Sequence, residues 1–213
     1  LVRCGETGVD MKNQPTIIGV SGRKRHGKDE IALALAAHDF TRVAFADELK
    51  RFAMDIWDLS FEQVYGSNED KETVDERWGL SPRTILQQFG TQIGRNVHKE
   101  TWVRRTFNII EDAAYFGFPA RLPDLAARRF QARHVTNATR WVIPDVRFPS
   151  EAEAVKAHGG VIIKVVRPSI VSDDMHDSEV GVDEVKEDYL IVNDGTLEDL
   201  RDKTNEILAR ILA

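Results

Sequence analysis

The chain has 213 residues, 42% of them apolar, and a formal net charge of −6 from 29 basic and 35 acidic side chains. That supports one large domain, with or without an insertion, and no apolar run approaches the roughly 18 residues that a membrane-spanning helix needs. A single cysteine, Cys4, excludes an internal disulfide and a cysteine-built zinc site and suits a reducing cytoplasm, and the six histidines show no metal-ligand spacing.

Residues 1–10 precede the first methionine, Met11, and carry no periodic pattern; they are expected to be appended residues or an upstream start. The first clear element is an apolar strand, Thr16–Val20, running into Gly22-Arg23-Lys24-Arg25-His26-Gly27-Lys28-Asp29. Gly-x4-Gly-Lys between a strand and a helix is the P-loop pattern. Its glycines let the backbone wrap a phosphate with N–H groups pointing inward, its lysine reaches the β- and γ-phosphates, and the helix N-terminus adds partial positive charge. Contacts to a nucleotide are therefore expected from Gly22, Arg23, Lys24, His26, Gly27, Lys28 and Asp29. Asp29 stands where Ser or Thr ordinarily ligates Mg²⁺, and a carboxylate there can still hold the ion, directly or through water.

A helix over 28–38, a strand over Val43–Ala46 and a helix over 47–57 come next. Ligands of open α/β sheets bind beyond the carboxyl ends of the strands, which makes Asp47 and Lys50 candidates for an acceptor site; Asp47 is equally well read as a helix N-cap. Ser81-Pro82 opens a helix over 81–97, with Ile85, Leu86, Phe89, Ile93 and Val97 as its apolar stripe. Arg83, Gln87, Gly90, Thr91 and Gly94 share another face. Each interior glycine costs about 1 kcal/mol relative to alanine, so something must approach closely there. Either a base lies on the glycines, bonded by Gln87 with its phosphate on Arg83 or Arg95, or another helix packs over them.

A helix over 100–115 precedes residues 117–140, which read as a turn plus an inserted helix. Trp141–Pro144 is a strand ending at Asp145, the expected acid on the magnesium side, with Arg147 directed into the same cleft. A helix over 150–158 stops at Gly159-Gly160, and further strands lie at Val161–Val166 and Tyr189–Val192. Residues 167–182 are polar and aperiodic and read as a mobile lid, with Arg167 at its entrance and His176 either closing it or lying on the surface. Thr196-x-x-Asp199 caps a last helix over 196–212.

Short apolar strands alternating with helices predict an α/β fold with a five-stranded parallel sheet in three layers. Charge is uneven: residues 77–147 carry +7 and the remainder −13, a pattern suited to small, multiply charged anions rather than polymeric nucleic acid or a membrane.

Gly22-x4-Gly27-Lys28-Asp29, Phe45-Ala46-Asp47-x-Leu49-Lys50, Leu86-Gln87-x-Phe89-Gly90-Thr91-x3-Arg95, Asp145-Val146-Arg147-Phe148-x2-Glu151-Ala152 and Asn193-Asp194-Gly195-Thr196 together resemble the bacteriophage deoxynucleoside monophosphate kinases. The resemblance runs from about residue 16 to the C-terminus, leaving out 111–139. It implies a P-loop NTPase fold over 11–213 with a helical acceptor-binding insertion at 47–140 and a lid at 167–182. It further implies Mg²⁺-dependent transfer of the ATP γ-phosphoryl group to a deoxynucleoside 5′-monophosphate in the cytoplasm of a host cell. Lys28, Arg147 and Arg167 would stabilise the transferring group. Asn193 and Gly195 join the ATP side, Asp47, Lys50, Arg83, Gln87, Thr91 and Arg95 bind the acceptor, and Asp29 and Asp145 attend the metal. A homodimer stays open. Dephospho-coenzyme A kinase shares the organisation and an Asn-Asp-Gly-like turn, but the Phe-Gly-Thr helix disfavours it; a nucleotide-binding switch with little turnover is the non-enzymatic alternative.

Overall fold

The computed structural model describes residues 15–116, 139–170 and 177–213. The expectations for residues 1–10, for most of the 117–140 insert and for His176 fall outside these ranges. Strands β1 (Thr16–Ser21), β2 (Thr41–Arg42), β3 (Arg140–Val146), β4 (Val161–Val166) and β5 (Tyr189–Val192) form one sheet in the order β2-β3-β1-β4-β5. Every pairing is parallel.

Successive strand side chains point to opposite faces, and each face is apolar because each is covered. Ile17, Trp141, Ile143 and Ile162 face α6 (Thr101–Phe116) and α7 (Pro149–Ala157), meeting Phe107, Ile110 and Val155. Ile18, Val20, Val142, Ile163, Val165 and Ile191 face α1 (Lys28–Ala36) and α9 (Leu197–Ile211), meeting Ile31, Leu35, Leu200 and Ile207. These are the three expected layers. A smaller core of Ala53, Leu59, Val64 and Ile85 joins α2 (Asp47–Trp57), α3 (Phe61–Tyr65) and α5 (Pro82–Gln87) into a helical layer of their own. Among the described residues no helix is long and apolar enough to cross a membrane.

Several local expectations change. The second strand was expected at Val43–Ala46, but pairing covers Thr41–Arg42 and ends as the Val43 N–H reaches the Val142 carbonyl. Beyond it the chain leaves the sheet because its amides are taken by carboxylates: Ala44 by Asp47, and Phe45 and Ala46 by Asp145. Pro144 lies inside β3, where the register slips: Gly19 sits opposite Ile143 and Ser21 opposite Val146. A proline cannot donate to the ladder, and a bulge absorbs the defect.

The helix expected over 81–97 is α-helical only to Gln87; Gln88–Arg95 is π-helical. Leu49 presses onto Gly90 and the Trp102 ring onto Gly94: an added Cβ would stand 2.7 Å from the leucine and closer still to the ring. Carbonyls are also claimed from outside the turn: Trp102 Nε1 donates to Gly90 O and Thr101 Oγ1 to Gly94 O, each at 2.9 Å. The wider turn rotates the residues beyond it, so Val97, expected in the apolar stripe, is 80% exposed. Helices α3 and α4 (Asn68–Glu72) were not anticipated, although Ser60-x-x-Gln63 and Ser67-x-x-Asp70 cap them. Within the expected lid, Asp177–Glu184 is a helix, α8, with Val182 buried on the body of the protein.

Candidate active site

The loops that leave the carboxyl ends of all five strands carry the residues singled out above, as an open α/β sheet requires. After β1 the chain turns through Gly22 at φ +155° and Gly27 at φ +107°, a backbone region costly for other residues. Space forbids a side chain too: a Cβ on Gly22 would lie 2.6 Å from the Val165 carbonyl oxygen, and one on Gly27 2.9 Å from Asn193 Nδ2. The loop then opens into α1, whose first turn holds Lys28, exposed Asp29 and Glu30. Lys28 Nζ donates back to the carbonyls of Gly22 (2.5 Å) and Arg23 (2.9 Å), so the ammonium lies across the loop's own mouth.

Two strand ends hold this loop in shape. Asn193, buried after β5, donates through Nδ2 to the His26 carbonyl at 2.9 Å. The His26 imidazole is only 5% exposed and turns toward the end of β4, where Nδ1 accepts the Arg167 N–H at 3.3 Å. His26 and Asn193 were expected among the ATP contacts. Their side chains face the protein and brace the loop from behind. Burial lowers the His26 pKa, and the Lys28 and Arg23 charges push the same way. Gly195 is exposed, and Asp199 occupies the space of its absent side chain while capping α9. Arg23 pairs with Asp183 of α8 at 2.5 Å, joining that helix to the loop.

Beyond β2 and β3 lies a compact charged cluster. The Asp145 carboxylate accepts the N–H groups of Phe45 (2.9 Å) and Ala46 (3.0 Å); burial, then Asp47, raise its pKa. Asp47 spends its oxygens on Arg42 and on the Ala44 N–H, which makes it the anchor of the turn. Lys50 lies 4.5 Å over the Tyr65 ring, and burial lowers its pKa to about 8 although Asp47 pulls the other way. Burial also pushes the Tyr65 phenol up. Sequence reasoning missed Arg42 and Tyr65. Arg42 carried no motif, and Tyr65 belongs to a helix that was not anticipated.

The facing helical layer separates the expected acceptor residues. Leu49 and Trp102 fill the glycine face, so the open choice between a base and helix packing resolves to packing. Arg83 pairs with Glu72 and Asn68 at the surface. Gln87 and Thr91 are half-buried and leave their side-chain polar groups without a hydrogen bond among the described residues. Arg95 donates to buried Glu151 at 2.7 Å and lies 4.0 Å over the Phe148 ring. Burial raises the Glu151 pKa against the pull of the Arg147 N–H and of Arg95.

The donor set fits a phosphate chain at the loop: two glycines that admit no Cβ, a lysine over the mouth, and a helix start behind it. It also fits magnesium held as that ion usually is, by one or two carboxylates together with phosphates and water. Asp145 retains a second lone pair on each oxygen, and exposed Asp29 makes no hydrogen bond among the described residues. No group of three or more His, Cys, Asp or Glu side chains placed to hold a metal gathers among the described residues.

Comparison with known proteins bears on this geometry. A family model described as deoxynucleotide monophosphate kinase matches residues 59–204, a span that begins after the P-loop. A protein described as a putative deoxynucleotide monophosphate kinase from Acanthamoeba polyphaga mimivirus is 38% identical over 186 residues, covering 86% of this chain and 91% of that protein. The deoxynucleotide monophosphate kinases of Enterobacteria phage T4 and Escherichia phage RB69 are 29% and 40% identical over 136 residues, or 63% of this chain. That match spans about half of each phage protein, 47% of its length. Among solved structures, dephospho-CoA kinase from Campylobacter jejuni aligns over 92% of this chain and 96% of its own, with 14% identity and a TM-score of 0.46. At that level neither sequence nor geometry bears on activity.

Proposed function

The chain belongs to the deoxynucleotide monophosphate kinase family, and from that premise we propose that it transfers the γ-phosphoryl group of ATP to the 5′-phosphate of a deoxynucleoside monophosphate. An acceptor phosphate oxygen attacks the γ-phosphorus, the bond from that phosphorus to the β–γ bridging oxygen breaks, and ADP departs as the deoxynucleoside diphosphate forms. The attacking oxygen is already anionic, so no strong general base is needed. Catalysis consists of alignment and of neutralising charge on the group in flight.

The chain's own residues suit those tasks. The loop between Gly22 and Lys28 cradles the donor phosphates, and Lys28 leaves its loop carbonyls to meet them. Arg147 and Arg167, from the ends of β3 and β4, approach the transferring group, and Arg23 and Lys24 flank the donor. Gln87 and Thr91 read the acceptor, Arg95 and Lys50 hold its phosphate, and α8 closes over the cleft. Magnesium, attended by Asp29 and Asp145, supplies neutralising charge to the phosphates when bound. What supports the reading most is the hydrogen bond from the Arg167 N–H to His26: it fixes to the rim of the loop an arginine whose guanidinium has no partner among the described residues.

The test is a panel of nucleoside and deoxynucleoside 5′-monophosphates, with dephospho-coenzyme A beside them, each incubated with ATP and Mg²⁺. Diphosphate and ADP should appear in equal amounts from one or more deoxynucleotides. Phosphorylation of dephospho-coenzyme A alone, or slow ATP hydrolysis that no monophosphate changes, would replace the reading with one of its rivals.

Lys50 adds a pH signature. Its charged form binds phosphate, and with a pKa of about 8 that form is lost as pH rises from 7 to 9. The acceptor KM should climb about tenfold over that interval while the ATP KM stays level. Lys50→Arg, which stays charged, should flatten the profile; an unchanged slope in that variant would remove Lys50 from the acceptor site.

A further inference from the structure

Glu151 is a deeply buried acid that the reaction as described leaves without a task. It is 2% exposed. Oε2 accepts the main-chain N–H of Arg147 at 2.7 Å and of Phe148 at 3.1 Å, and Oε1 accepts Arg95 Nη2 at 2.7 Å. With its guanidinium over the Phe148 ring, Arg95 is fixed both in plane and along one edge. The ring itself is backed by α8, where a Cβ on Gly181 would come within 3.0 Å of it. Arginine carries five N–H donors. Those not spent on Glu151 make no hydrogen bond among the described residues, and the Arg95 side chain keeps 24% exposure.

Two jobs of this carboxylate separate cleanly. As the third residue of α7 it takes the Phe148 N–H and caps the helix, a job that glutamine performs equally well. Capping alone gives no reason to bury a charge, since a neutral side chain of the same shape avoids the desolvation cost. The ion pair with Arg95 is what only the charged group supplies. It holds one edge of a planar fork and leaves the remaining donors for the oxygens of a phosphate monoester.

We propose that Glu151 is a positioning residue that presents Arg95 to the 5′-phosphate of the acceptor, an inference that rests on the kinase reading above. The same carboxylate holds the Arg147 N–H, so one buried side chain orients two arginines that belong to different elements. Neither composition nor spacing points to it, because Glu151 lies 56 residues from Arg95 in the chain.

Steady-state kinetics with Mg²⁺, ATP and each of the four common deoxynucleoside 5′-monophosphates test this on Glu151→Gln, Arg95→Ala and the double variant, with thermal melts alongside. Glu151→Gln keeps the cap and loses the pair, so the acceptor KM should rise tenfold or more while the ATP KM stays within twofold. In the Arg95→Ala background the same substitution should cost nothing further. An unchanged acceptor KM in folded Glu151→Gln, an equal rise in both KM values, or a full additional loss in the double variant would overturn the proposal. Should Glu151→Gln not fold, Arg95→Lys decides: it keeps the charge but not the fork and must show the same acceptor-specific defect, and a wild-type acceptor KM there overturns the proposal as well. Wild-type protein inactive on all four monophosphates would bring down the kinase reading itself, and this inference with it.

Discussion

Lys28→Ala should lower kcat about 10³-fold, the order of loss expected when one preorganised charge is removed from a transition state, and should leave a folded protein. In the structure the Lys28 ammonium donates to two carbonyls of its own loop, at 2.5 and 2.9 Å. Losing those bonds costs on the order of 1–3 kcal/mol of stability. The sheet, the buried Ile31 and Leu35 of α1 and the brace from Asn193 remain. The ammonium also exchanges one set of oxygens for another when phosphates arrive, so ATP affinity should fall less than kcat does. Near-normal turnover by a folded Lys28→Ala protein would end the assignment of the loop.

Arg167→Ala should slow the chemical step about 10²-fold or more, toward the range known for arginines that stabilise phosphoryl transfer. Its main chain is pinned to His26 and its side chain is uncommitted among the described residues, so the substitution removes a guanidinium without releasing the turn. Single-turnover phosphoryl transfer is the measurement of choice because it isolates chemistry from product release. Arg167→Lys should recover only part of the rate, since a point charge cannot span two oxygens as a fork does. An Arg167→Ala protein with unimpaired single-turnover rates would make the segment after β4 a surface turn and nothing more.

Much of this architecture was legible because it depends on short-range rules. The apolar runs at 161–166 and 189–192 match their strands residue for residue, and Ser81 and Thr196 cap the helices they introduce. The P-loop was legible for the same reason: glycine is the residue for a backbone at positive φ. The features that escaped the sequence depend on partners far along the chain. Asp145 ends β2 early by taking amides 99 and 100 residues away. His26 sits inside the Gly-x4-Gly-Lys pattern, yet its side chain serves Arg167, 141 residues on. Leu49 and Trp102 turned a predicted α-helix into a π-helix, an outcome that no count of helical period could foresee. Asn68 and Glu72 hold the Arg83 guanidinium, a pairing visible only once α4 existed.

The π-helical segment has a consequence for which lengths of chain this fold tolerates. A turn closed at i→i+5 holds one residue more than an α-turn, so everything after it is set back by about 100° around the axis relative to a uniform α-helix. Arg95 is the last residue of that segment, and its bearing toward Glu151 depends on that one surplus residue. Deleting any single position between 88 and 94 would relax the segment toward the more comfortable α-form and favour helix formation locally. The same deletion would swing Arg95 off its partner and carry Gly94 out from under Trp102. Insertions and deletions are ordinarily absorbed by loops and resisted by helices for reasons of stability. Here the reading frame of a helix is held by the arginine it delivers, and a change that favoured the local helix would part Arg95 from Glu151.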